Sequence, residues 1–239
     1  MKTIVVVPTY NEKENISKIL ESILALKIKD LDALVVDDDS PDGTAKIVEE
    51  ISKKEPNVHL LLRKALKGRG AAGKDGFRYA LNHGADYIIE MDADFSHDPK
   101  YIPDFLDAVK DCDVVLGSRF VKGGKDVGRG IIRQLISLLG NIYVRKALGI
   151  KIHDCSSGYR CFRRKVLETI NLDNTVSLGP AVVHEFLYKS ILYGFKIKEI
   201  PIVFVDRRHA HSKFNYRIIL EGFLMVLILR FLFSKIRHE

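Results

Sequence analysis

Cysteine is scarce in this chain: Cys112, Cys155 and Cys161 are the only three, an odd number without CxxC spacing. That argues against a disulfide framework or a zinc site and favours a reducing interior. A glycine fingerprint G-x-G-x-x-G is missing after the first strand, which argues against a nicotinamide enzyme. The same spelling occurs at Gly68 to Gly73, but it follows a third strand, so these glycines read as a close-packed loop near a ligand. No internal repeat, low-complexity tract or interdomain linker interrupts the chain. No signal peptide precedes the first strand, so a cytoplasmic domain is expected. Nor is there a membrane-spanning run. The most apolar stretch, Ile218 to Phe233, holds Glu221 and Arg230. Its roughly sixteen residues would cover about 24 Å as a helix, short of a ~30 Å hydrocarbon core.

What is present suits one large α/β domain with a real core: 239 residues, 46% hydrophobic and 29% charged. The formal net charge of +7 suits an anionic partner, and nucleic acid, nucleotide-sugar and an anionic membrane face all qualify. The basic residues gather in the C-terminal third, at Arg163, Arg164, Lys165, Arg207, Arg208, Lys213, Arg217, Arg230, Lys235 and Arg237.

Hydrophobic periodicity predicts strands at Thr3 to Val7, Ala33 to Val36, Val58 to Leu62, Tyr87 to Met91 and Asp113 to Gly117. Helices are expected between them, from about Lys13 to Leu26, Thr44 to Lys53, the Gly68 loop to Asn82, and Pro99 to Lys110. This alternation predicts a mostly parallel, doubly wound, Rossmann-like sheet flanked by helices. Further on, Lys122 to Gly130 reads as a mobile loop. Helices follow over Ile131 to Leu148, Lys165 to Ile170 and His184 to Tyr193, and an edge strand broken by Pro201 runs from Ile197 to Val205. Ile218 to Phe233 reads as an amphipathic helix in a membrane interface, with Arg217, Arg230, Lys235 and Arg237 toward the headgroups. On this reading residues 1–215 form the catalytic domain and 216–239 a membrane-associated helix.

The strongest local signal is Asp92-Ala93-Asp94. Residues i and i+2 of a strand share a face, so two carboxylates emerge together where α/β folds bind ligands. They repel each other unless a cation lies between them, and two carboxylates with water and a diphosphate suit Mg²⁺ or Mn²⁺. At the end of the first strand Tyr10 can face a base or ribose and Glu12 can accept from ribose hydroxyls; Asp37 to Ser40 ends the second strand in a like position. Arg119, Arg133, Arg207 and Lys213 are candidate anion clamps, since arginine forks match phosphate oxygens.

Taken together, several motifs resemble the inverting glycosyltransferases of the A-type fold. They are Pro8-Thr9-Tyr10-Asn11-Glu12, Asp37-Asp38-Asp39-Ser40-Pro41-Asp42-Gly43-Thr44, Met91-Asp92-Ala93-Asp94, His97-x-Pro99 and Gly117-Ser118-Arg119. A finer pattern adds Val121-Lys122-Gly123-Gly124, Arg133 with Ser137, Ser157-Gly158-Tyr159-Arg160, and Ile200-Pro201 followed by Phe204, Arg207, Ser212 and Lys213. It is similar to the dolichyl-phosphate mannose synthases, in a short form without a multi-span C-terminal domain. The resemblance covers about nine-tenths of the chain, Met1 to Lys213.

It implies that Pro8, Tyr10, Glu12, Val36 and Asp38 hold the nucleoside of GDP-mannose. Asp92 and Asp94 would bind Mg²⁺ or Mn²⁺ on its diphosphate, and Arg207 and Lys213 would reach its phosphates from a closing loop. Arg119, Arg133 and Ser137 would receive the phosphate of a dolichyl or other polyprenyl phosphate. Asp92, Asp94, Arg119 and Arg133 would carry catalysis, giving a β-linked mannosyl phosphate lipid with inversion. The enzyme would work peripherally on the cytoplasmic face of a membrane, docked by its last helix or by small membrane-anchoring subunits, and nucleic acid is not an expected partner. Ser96 departs from relatives that place Gln there as a third metal ligand, so water is the expected substitute. The alternatives are a UDP-glucose-dependent dolichyl-phosphate glucosyltransferase, a nucleotidyltransferase, and a non-catalytic membrane-docked subunit.

Overall fold

The computed structural model describes residues 1–64, 67–177 and 179–206, and the helix at 216–233 with its side chains from 221 onward. Its first strand, β1 (Thr3–Thr9), is a β-branched run buried on both faces. The even members Ile4 and Val6 enter one core, and the odd members Val5 and Val7 enter another. That alternation makes β1 an interior strand of a layered sheet rather than a wall facing water.

Around it lie α1 (Ile16–Leu24), β2 (Leu31–Asp37), α2 (Thr44–Ser52), β3 (Val58–Leu62), α3 (Arg69–Asn82), β4 (Tyr87–Glu90), α4 (Ile102–Ala108) and β5 (Val114–Ser118). After β5 come β6 (Lys125–Val127), α5 (Ile131–Leu148), β7 (Arg160–Arg163), α6 (Arg164–Thr169), α7 (Val182–Leu192), β8 (Ile197–Pro201), β9 (Val203–Val205) and α8 (Tyr216–Leu232). The main sheet has the order β3-β2-β1-β4-β7-β5-β8. All its pairings are parallel except those of β7, which runs antiparallel to both β4 and β5. Strand order reverses between β1 and β4, and the carboxyl ends flanking such a switch point are where α/β sheets bind ligands.

Four expectations change. Pro8 does not end β1: the register continues through Pro8↔Val36 to Thr9↔Asp37. Thr9 turns its carbonyl to Asp38 N on the β2 side. Pro8 therefore faces β4, beyond the last rung Val6↔Glu90, where no N–H is required. Lys122 to Gly130 is not simply a loop, because β6 pairs in parallel with β9. Strand β7 had no periodicity to announce it: two of its four residues are arginines, and the Arg160 guanidinium is buried on the carbonyls of Ser157, Val183 and Cys155. Finally, α8 is not amphipathic. Val226 and Leu229 are buried in the core it shares with α5 and α7, while Phe223, Leu224, Leu227, Ile228, Phe231 and Leu232 are exposed. Pro201 does sit on an edge strand, since among the described residues β8 pairs only with β5.

Candidate active site

The carboxylate pair lies just past β4. The Asp92 N–H donates to His97 Nδ1 (3.0 Å), so that nitrogen is the acceptor and the ring proton belongs on Nε2. His97 is buried, stacked on Tyr159 at 4.9 Å and edge-on to Phe204 at 5.8 Å. Burial pushes its pKa down, against the raising effect of Asp92. Asp94 Oδ1 accepts from the Ser96 N–H (3.0 Å) and hydroxyl (2.6 Å). Phe95 between them takes φ 61°, an unfavourable region for a bulky residue, and this tight turn brings Ser96 back onto Asp94. Ser96 thus orients a carboxylate. The hard oxygens of Asp92 and Asp94 fit Mg²⁺ or Mn²⁺, and the place attracts positive charge, since Arg69 Nη2 lies 2.7 Å from Asp92 Oδ1. Among the described residues no cluster of three or more His, Cys, Asp or Glu could hold a metal.

On the donor side the expected residues stand at the ends of β1 and β2, but they are occupied differently from the expectation. Tyr10 is exposed with Lys67 over its ring. Glu12 accepts from Asn15 Nδ2 at 2.9 Å. Asp38 is buried, turning its oxygens to Arg63 and to the Gly68 N–H, which pins the glycine loop at the start of α3. The Val36 side chain is fully buried where Gly76 of α3 approaches the sheet, which leaves its backbone as the part that could meet a nucleoside. Arg207 and Lys213 lie outside the described residues.

The acceptor-side residues converge. Asp92, Arg119, Arg133 and Ser137 line one cavity of about 870 Å³. Arg119 is nevertheless held tightly: its Nε and Nη2 donate to Asp154 at 2.8 Å each, and Nη2 also reaches Ser156. Burial works to raise the Asp154 pKa, but the hydrogen bonds and charge of Arg119 hold it below the usual carboxylate value. Gly124 makes this corner possible, because a Cβ there would lie 2.4 Å from the Ser118 carbonyl oxygen. Arg133 is looser, 3.4 Å from Asp206 and partly exposed. The rest of the lining from α5, α7 and α8 is largely apolar, through Ile136, Val144, Val183, Phe223, Val226 and Ile228, with His184 and Glu221 among them.

Three participants escaped the sequence reading. Arg69 was passed over as part of a glycine loop, and its partner Asp92 is 23 residues away. Arg129, stacked over Phe204 at 5.5 Å and 3.2 Å from Asp126, stood in a presumed loop. Nothing local in the sequence signals that Asp154 pairs with Arg119, 35 residues back.

Comparisons agree with this geometry. The family model described as glycosyl transferase family 2 matches residues 4–170. The undecaprenyl-phosphate mannosyltransferase of Micrococcus luteus is 39% identical over 226 residues, covering 95% of this chain and 93% of that protein. The dolichol-phosphate mannosyltransferase of Pyrococcus furiosus is 37% identical over 227 residues, 92% of this chain but 61% of the longer protein. A mannosyltransferase from Pyrobaculum calidifontis, solved with GDP-Man and Mn²⁺, shares the fold with a TM-score of 0.62 at 20% identity, covering 99% of this chain and 68% of that one. The resemblance seen in the motifs is borne out: this chain belongs to glycosyl transferase family 2.

Proposed function

We propose that this enzyme transfers mannose from GDP-mannose to a polyprenyl phosphate, forming a β-linked mannosyl phosphate lipid with inversion. The observation that carries the reading is the polarity of the cavity. Asp92, Arg119, Arg133 and Ser137 line the same cavity as the largely apolar residues contributed by α5, α7 and α8. An acceptor with a phosphate head and an isoprenoid tail combines the same two characters. The relatives named as lipid-phosphate mannosyltransferases, and the same-fold protein solved with GDP-Man, support the donor and the acceptor class.

Asp92 and Asp94 would hold the divalent ion, which when bound neutralises charge on the leaving diphosphate. Tyr10, Glu12 and Asp38, with Pro8 shaping the strand end, would border the nucleoside. Arg207 and Lys213 are assigned to the donor phosphates on motif grounds. A phosphate monoester has a second pKa near ~6, so the nucleophile is already anionic at neutral pH and needs no dedicated base. What remains for the protein is positioning and charge. Arg119, locked by Asp154, would supply a fixed positive edge, and the looser Arg133 with Ser137 would aim the incoming phosphate.

Docking would use two helices rather than one. Ile131, Ile132, Leu135, Leu138 and Leu139 of α5 are exposed beside the exposed apolar residues of α8. Rings of Tyr143 and Phe223 join the two helices at 4.1 Å. Among the described residues no helix is long and apolar enough to cross a membrane. A peripheral seat on the cytoplasmic face, with or without a small anchoring subunit, fits the reading.

The test is incubation of purified enzyme and polyprenyl phosphate vesicles with labelled GDP-mannose, UDP-glucose or UDP-GlcNAc, with and without Mn²⁺. Label should enter organic-extractable lipid from GDP-mannose alone. Label from UDP-glucose alone would transfer the assignment to a glucosyltransferase, and no lipid label from any donor would remove the reading.

A further inference from the structure

Arg69 opens α3 in a place where an arginine has no obvious structural duty. Its guanidinium reaches across the strand ends to Asp92 Oδ1, with Nε at 3.2 Å and Nη2 at 2.7 Å. Nη1 stands 4.0 Å from Glu90 Oε1. The charges of Asp92, Glu90 and Asp94 together raise its pKa despite the opposing effect of burial. Room for it is built in: a Cβ on Gly158 would fall 2.4 Å from Arg69 Nη2. The side chain still keeps 27% of its surface exposed, and it lines the cavity together with Asp92.

We propose that Arg69 is an intramolecular counter-ion that takes the cation's place at Asp92 in the empty enzyme, so that a divalent ion binds well only together with the donor diphosphate. The inference rests on the reading of Asp92 and Asp94 as metal ligands. A guanidinium keeps its charge throughout the accessible pH range, so it cannot yield the carboxylate by losing a proton; it has to move. A second cation at Asp92 repels it, and the nearest compensation for the displaced charge is an incoming diphosphate, which bidentate arginine matches. Ion and nucleotide therefore assist each other's binding, and the coupling is reciprocal. The result is an enzyme that does not hold a divalent ion idly in an open site.

The readout is Mn²⁺ affinity, followed by the paramagnetic resonance signal of the free ion, first without nucleotide and then with GDP. Arg69→Met should tighten nucleotide-free binding about tenfold or more, the scale on which a cation at this distance shifts a carboxylate's affinity for protons. The enhancement of Mn²⁺ binding by GDP should shrink correspondingly. Gly158→Ala leaves every charge in place and pushes only the tip of Arg69, so it should move affinity in the same direction even if Arg69→Met fails to fold. Unchanged or weaker Mn²⁺ binding in the folded variants would overturn the proposal and mark Arg69 as a permanent brace for Asp92. If wild-type enzyme bound no Mn²⁺ even with GDP, the metal reading itself would fail and the Arg69 proposal with it.

Discussion

The strand ends and the exposed surface of α5 and α8 are built on opposite terms. At the strand ends the charged groups are held: Asp94 by Ser96, Asp92 by Arg69 and the His97-fixed backbone, Asp154 by Arg119. On the outer faces of α5 and α8 the side chains are apolar and exposed, with Ile131 at 74% and Phe231 at 75% exposure. The first region has its geometry set before a ligand arrives, as electrostatic catalysis requires. The second leaves a large apolar surface that the chain itself does not cover, which is the mark of an interaction face. On the proposed function, one region would perform the chemistry and the other would bring the lipid to it.

The sharpest way to break this comparison is at the carboxylates. Asp94→Ala should lower mannosyl transfer by about a thousandfold, on the scale of losing a principal electrostatic stabiliser, with little change in thermal stability. A normal rate would remove Asp94 from the chemistry. Asp154→Asn should act on stability instead. Taking the nearer counter-charge from the buried Arg119, which leaves only Asp126 at 3.8 Å among the described residues, should cost about 3 kcal/mol, measurable by urea unfolding. Because the folded pKa of Asp154 is lowered, its stabilisation is present above the unfolded carboxyl value of ~3.9. It is lost as pH falls through the still lower folded value, so the variant should show a flatter acid limb.

On the exposed helical surface, Ile132→Asp with Leu139→Asp should leave the fold intact. It should reduce binding to anionic lipid vesicles at least about tenfold, since each large apolar side chain contributes roughly 1.5–3 kcal/mol on burial. Transfer to a short, water-soluble acceptor should persist, and equal loss with both acceptors would deny the division between the two regions. Smallest of all, Lys110→Ala should change stability by less than about 0.5 kcal/mol and leave activity alone. Its contact is an exposed pair with Asp107.

Legibility followed the range of the interaction. The strands β1 to β5 and the helices between them were readable because buried parallel strands and amphipathic helices repeat their pattern locally. Helix starts were less so: α1 begins at Ile16 rather than Lys13, because the preceding residues turn back to Ser40, Thr44 and Asp42 at the end of β2. Asp92, Asp94, Arg119, Arg133 and Ser137 could be named from spacing and motif, and all but Asp94 line the cavity. Val36 could be named too, yet its side chain belongs to the core, since a motif position says nothing of which way a strand residue points into a given layer.

By itself, then, the order of residues determined the alternating α/β architecture, the carboxylate pair at a strand end and the family to which the motifs belong. These depend on neighbours within a turn or two. Only the tertiary structure decided that β7 enters the sheet antiparallel, that β6 finds β9, that α8 is apolar on both sides, and that Arg69 and Asp154 are the partners of Asp92 and Arg119. Each is a meeting of segments far apart in the chain, and a charge or an edge is satisfied by whatever the fold brings beside it.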